Sequence, residues 1–183
     1  MHRYLITSKE FYTDILDVFE SKLYEQFKVH KPTYALYRDK TNPNYKLQAL
    51  RFMEVCRQFE GIKSFIHMDV ELAHKLHATG VHLTSAQFSE ITHAKSLGLE
   101  VIISTHTHAE VLKAEMLGAD AVTYSPIFTS PGKGEPKGIE DLKELLKKCN
   151  VKVFALGGIV EEWQVDTVKK AEAYGFASIR YFY

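Results

Sequence analysis

The chain has 183 residues, 45% hydrophobic and 12% aromatic, enough for one globular domain over 1–183 that buries most of its apolar surface. Lysine plus arginine and aspartate plus glutamate both number 23, so no overall basic field marks nucleic acid or an anionic membrane as the main partner. No apolar run approaches the roughly 20 residues of a membrane span, and Cys56 and Cys149, both placed in expected helices, suit the reduced, buried thiols of a cytoplasmic protein.

In chain order, short β-branched or aromatic runs alternate with segments of helical period. Strands are expected at Arg3–Thr7, Thr33–Tyr37, Ser64–Met68, Gly80–Leu83, Glu100–Thr105, Ala121–Phe128, Val151–Leu156 and Phe176–Tyr181. Helices are expected at about 9–26, 43–60, 70–78, 86–97, 108–118, 138–149 and 161–174, the first with a stripe of Phe11, Ile15, Val18, Phe19 and Leu23. Pro43 suits a helix start, Thr107 suits an N-cap, and Gly98, Gly118 and Gly175 suit helix ends.

Strict alternation with short loops demands a parallel sheet with right-handed crossovers. The expected fold is a minimal α/β (β/α)8 TIM barrel. The rival is an open doubly wound sheet, but no G-x-G-x-x-G follows the first strand and Gly157-Gly158 comes only after the seventh. The last strand runs into Tyr181-Phe-Tyr183, so the eighth helix is expected to be absent. The flank between the last and first strands would then be bare unless the aromatic tail or a second subunit, as in a homodimer, covers it.

Barrel chemistry sits at the C-terminal ends of the strands. There the sequence places Arg38-Asp39-Lys40, His67, His82, Ser104-Thr-His106, Ser125, Lys133 and Gly157-Gly158. Arg38 either forks two hydrogen bonds to a phosphate or carboxylate or pairs with Asp39 or Glu54. His82 alternates with Val81 and Leu83 and faces the barrel interior if they face out. His106 and His108 have no third metal ligand at suitable spacing, and a helix starting at Thr107 would turn His108 outward, so no metal site is expected from them. His74 and His77 read as solvated. The loop from Tyr124 to Gly138, with Ser130 and Lys133, is the expected cover over an anion, and the glycine pair lets backbone N–H groups approach a phosphate.

Tyr4-Leu-Ile-Thr7, Tyr37-Arg-Asp-Lys40, Gly80-Val-His-Leu83, Ser104-Thr-His-Thr107, Gly118-Ala-Asp120, Pro126-Ile-Phe128, Ser130-Pro-Gly-Lys133 and Ala155-Leu-Gly-Gly-Ile159 follow one another over residues 3 to about 180. In this order they resemble the thiamine phosphate synthase and thiazole tautomerase family of small TIM barrels. The resemblance implies thiamine biosynthesis on a hydroxyethylthiazole phosphate. It puts Arg38, Lys40, Ser104, Ser130 and Lys133 on a pyrophosphate or carboxylate, and Gly157 with Gly158 on the thiazole phosphate.

Departures from the pattern shape the expected reaction. The synthase pattern holds Mg2+ with an Asn-Asp after the third strand and a second acid after the fourth; this chain has His67-Met68 and Gln87 there, and Asp69 lies one residue away. A pyrimidine-contacting Gln is replaced by Leu36, and the tautomerase histidine falls on Pro126. The sequence therefore favours a cofactor-free, tautomerase-like proton transfer with His67, His106 or His82 as acid/base. The alternatives are a thiamine phosphate synthase, the one case that would call for Mg2+, and a non-catalytic barrel that binds a thiamine intermediate.

Overall fold

All eight expected strands form, and they close in chain order into one parallel barrel. They are β1 (His2–Ile6), β2 (Tyr34–Tyr37), β3 (Lys63–His67), β4 (Gly80–Leu83), β5 (Glu100–Thr105), β6 (Ala121–Tyr124), β7 (Lys152–Leu156) and β8 (Gly175–Ser178). The computed structural model describes residues 1–183. Its helices are α1 (Lys9–Tyr12), α2 (Leu16–His30), α3 (Tyr45–Cys56), α4 (Val70–Lys75), α5 (Ile91–Ser96), α6 (His108–Met116), α7 (Gly138–Leu146) and α8 (Glu162–Lys170). None is long and apolar enough to cross a membrane.

Side-chain alternation builds two separate cores. Outward residues such as Leu5, Ile66, Val81, Leu83, Val101, Ile103 and Val153 pack against the helices, while Tyr4, Ile6, Tyr34, Leu36, Phe65, Ile102 and Phe154 fill the barrel interior. The Tyr4 and Phe154 rings lie 5.1 Å apart and those of Tyr34 and Phe154 5.0 Å apart. Gly175 begins β8 instead of ending a helix: a Cβ there would come within 2.6 Å of the Phe154 ring. The glycine leaves room for that aromatic layer.

Several expected boundaries shift for local reasons. The first helix breaks in two because Thr13 turns the chain at φ 63°, a rare conformation for a β-branched residue, held by Gln48 Nε2 donating to the Thr13 carbonyl at 2.9 Å. Its buried stripe is Phe19, Leu23 and Phe27, while Ile15 and Val18 face solvent. Strand β6 stops at Tyr124 because Pro126 has no N–H for the ladder; the run still follows β7, with Ile127 N–H donating to Leu156 O at 2.9 Å and Phe128 N–H to Gly157 O at 3.0 Å. Cys56 ends α3 and is buried, but Cys149 is half-buried in the turn after α7; both are free thiols.

After β8 the chain folds into a 3-10 turn, Arg180–Phe182, and the aromatic tail covers the exposed flank. The fully buried Phe182 ring stacks on Phe176 at 5.5 Å and meets His30 edge-on. Tyr183 packs on Phe11 at 4.9 Å, and Lys22 Nζ donates to its hydroxyl at 2.8 Å. These contacts bury apolar surface against Phe176, α1 and α2.

Candidate functional site at the barrel mouth

Arg38 leaves the C-terminal end of β2, its N–H fixed by Thr7 Oγ1 of the neighbouring segment at 3.0 Å. It is half-buried, and burial lowers its pKa, but a guanidinium stays cationic under any working condition. It pairs with neither Asp39 nor Glu54; Glu54 instead faces Arg51. The Lys40 pKa is lowered by Arg38 first, then by its own partial burial and by Lys133. None of the three cations belongs to an ion pair.

Lys133 comes from the loop after β6, four strands round the ring from β2. Its charge is felt at Lys40 across the mouth. The loop base is pinned where Lys137 N–H donates to Pro126 O at 2.9 Å and Gly138 N–H to Ile127 O at 3.0 Å. Ser130 and Lys133 bracket a tight turn at its tip, with Lys133 N–H donating to Ser130 O at 3.1 Å.

The loop also lies against the glycine pair. Gly157 and Gly158 have φ of 99° and 70°. A Cβ on Gly157 would meet Pro126 Cα at 2.7 Å, and one on Gly158 would meet Thr129 O at 2.5 Å. Both the left-handed backbone and the close approach require glycine here. Gln164 supports the turn, its Nε2 donating to Gly158 O at 2.6 Å and its Oε1 accepting from Val160 N–H at 2.7 Å.

Of the three candidate histidines, two come together. The His67 and His82 rings lie 6.2 Å apart, both buried at the ends of β3 and β4. His82 faces inward, as its alternation with Val81 and Leu83 indicates, between Tyr4 Oη at 2.8 Å and Ser104 Oγ at 3.0 Å. Burial, His67 and Arg38 push its pKa well below the usual value. Burial, then Arg38 and Lys40, lowers His67 to about 4. Both are neutral imidazoles near pH 7.

His106 stands apart and exposed, its Nδ1 3.2 Å from the Ser125 carbonyl and 3.4 Å from Ser125 Oγ. Thr107 caps α6 by accepting from Glu110 N–H, and His108 turns to Asp141 Oδ1 at 3.2 Å. His74 and His77 are exposed. Tyr4 and Thr7, which hold His82 and Arg38, lie in the Tyr4-Leu-Ile-Thr7 motif, but nothing in the sequence tied them to those side chains.

A divalent cation does not fit the residues present. The one acid near the family position, Asp69, accepts from Leu72 N–H at 2.9 Å as the N-cap of α4. Gln87 is used by Thr84 N–H and by the Met68 carbonyl, at 3.0 and 3.1 Å. A shallow cleft of about 370 Å3 beside these residues is lined by Asp69, Glu71 and Glu90, and its acids would repel a phosphate.

Comparison with known proteins agrees with this architecture. The family profile described as thiamine monophosphate synthase matches residues 3–182. A thiamine-phosphate synthase of Nitrosococcus oceani is 34% identical over 141 residues, covering 73% of this chain and 64% of that protein. One from Persephonella marina is 31% identical over 143 residues, covering 75% and 68%. The matched segments of the first three curated relatives span 61–64% of their lengths, so the chain covers less than two thirds of them. A solved thiamine phosphate pyrophosphorylase from Pyrococcus furiosus superposes with a TM-score of 0.83 at 23% identity, over 97% of this chain and 85% of that one, and shows the shared fold. These names favour the synthase branch over the tautomerase branch expected from the sequence. The chain belongs to the thiamine monophosphate synthase family.

Proposed function

We propose that this barrel is a thiamine phosphate synthase that joins a hydroxyethylthiazole phosphate to a pyrimidine carrying a methylene pyrophosphate. The carrying observation is the set of cations in no ion pair, Arg38 and Lys40 after β2 and Lys133 on the loop after β6, across the ring. In the reaction the methylene C–O bond breaks, the thiazole nitrogen bonds to that carbon, and pyrophosphate leaves with the electron pair. Cations already in place where that charge develops lower the barrier most. Ser104, Ser125 and Ser130 supply neutral donors, and the Gly157-Gly158 turn takes the thiazole phosphate. With no carboxylate pair to hold a metal, the leaving group depends on Arg38, Lys40 and Lys133.

Thiamine phosphate formation from the two substrates, followed with Mg2+ and with a chelator, tests this reading. Product that persists in chelator and falls in Arg38→Ala is the expected result, and no product under either condition refutes it. A second reading draws on the neutral His67 and His82 pair: proton transfer that aromatises a thiazole carboxylate phosphate. An ultraviolet change with that substrate, lost in His67→Asn, would select it.

A further inference from the structure

The hydrogen-bond chain through His82 has a direction. Tyr4 is fully buried, and its hydroxyl has one partner, His82 Nδ1 at 2.8 Å. His82 Nε2 in turn faces Ser104 Oγ at 3.0 Å, the only partner of that hydroxyl. Two proton arrangements are conceivable. In one, Nδ1–H donates to Tyr4 and Ser104 donates to Nε2, which leaves the phenolic proton buried without an acceptor. In the other, Tyr4 donates to Nδ1 and Nε2–H donates to Ser104, and every buried donor is used. Burial penalises the orphaned donor, so the second prevails.

We propose that Tyr4 locks His82 in the Nε2–H tautomer, so that Ser104 accepts from the ring and turns its own O–H toward the mouth as a donor to an anionic ligand. His82 is then a positioning residue and not the acid/base. Its surroundings agree: an imidazole fully enclosed, beside the His67 ring and the Arg38 cation, has no route to take up a proton at neutral pH. Ser104 is half-exposed at the end of β5, where its hydroxyl proton is free. A serine bonded the other way would present only lone pairs and would repel a phosphate oxygen.

The ligand part rests on the proposed function; the tautomer does not. In 15N-histidine-labelled full-length protein, two-bond proton–nitrogen correlations identify which ring nitrogen of His82 carries the proton, with His82→Gln supplying the assignment. An Nε2–H pattern in the wild type that becomes mixed in Tyr4→Phe is expected, and an Nδ1–H pattern in the wild type overturns the inference. With inorganic pyrophosphate as probe, Tyr4→Phe and Ser104→Ala should each weaken binding about tenfold, as loss of a hydrogen bond to a charged group does, and the double variant little more. Unchanged affinity in both single variants overturns the donor role. Failure of the wild type to bind pyrophosphate counts against the proposed function and removes the donor role with it, while the tautomer stands or falls on the spectrum.

Discussion

Lowering the pH from 7 to 5 should destabilise the protein through His67. The ring is buried beside Arg38 and Lys40, and its pKa is held at about 4 in the fold, against about 6.5 in an unfolded chain. The unfolded state therefore binds more protons in this window. Stability is fully present above the unfolded value and is lost as the pH falls toward the folded one. For these two values the loss between pH 7 and pH 5 is about 2 kcal/mol. His82 is shifted the same way and adds to it. Urea denaturation at both pH values, on wild type and His67→Asn, isolates the His67 part. Titration of groups away from His67 is shared by the two proteins and cancels; His82 stays lowered in both, since burial is the largest cause of its shift. The variant should lose about 2 kcal/mol less than the wild type across this window, a difference of roughly 4–8 °C in melting temperature. Equal losses would refute the idea that His67 is kept neutral by burial among cations.

Other expected outcomes follow from single contacts. Gly158→Ala should cost about 2–5 kcal/mol, from left-handed backbone strain and from a Cβ pressed on the Thr129 carbonyl; a melting temperature within 2 °C of wild type, a margin taken from roughly 2–4 °C per kcal/mol, would contradict it. If the proposed function holds, Arg38→Ala should raise KM for the pyrophosphate substrate by about 10–100-fold with little loss of stability, the loss expected of charge-assisted hydrogen bonds to a ligand; steady-state kinetics beside a melting curve decides. Asp69→Ala removes the cap of α4 and should cost about 1 kcal/mol without changing Mg2+ dependence; a steep change in that dependence would show that Asp69 holds a metal. Phe182→Ala deletes a fully buried ring from the tail and should cost about 3–5 kcal/mol, measured by chemical denaturation.

The order of strands and helices was legible because each barrel unit carries its own local signal: a β-branched or aromatic run, then a helical period, with Gly98 and Gly118 marking helix ends. The inward aim of His82 was legible too, since alternation with Val81 and Leu83 is a property of one strand. What stayed hidden depends on pairs distant in sequence. Thr13 breaks the first helix in company with Gln48, thirty-five residues on. Tyr4 reaches His82 across seventy-eight residues, and only barrel closure brings their strands face to face. Gly175 looks like a helix end until Phe154 is seen filling the space a Cβ would take. At the site, the residue types were readable from motifs, but the separation of His106 from His67 and His82 was not, because it follows from the strand on which each sits.

The mouth raises a question of charge placement. A divalent ion would put two charges at one point, close to the pyrophosphate oxygens and held by rigid carboxylates. Here three single charges stand around the rim, two of them, Lys40 and Lys133, on exposed and flexible stems. Such charges are screened over about 8 Å at physiological ionic strength, whereas the half-buried Arg38 is screened less. Asp39, buried between Arg38 and Lys40 with Oδ1 accepting from Thr41 N–H at 3.2 Å, offsets part of the field and fixes the β2 loop that carries both. Anion binding should therefore weaken as salt rises, with the salt-dependent part lost in Lys40→Ala and Lys133→Ala and the residual part lost in Arg38→Ala. Pyrophosphate affinity measured across a salt series separates the two. A wild-type affinity indifferent to salt would mean that the anion is not held by the rim cations at all.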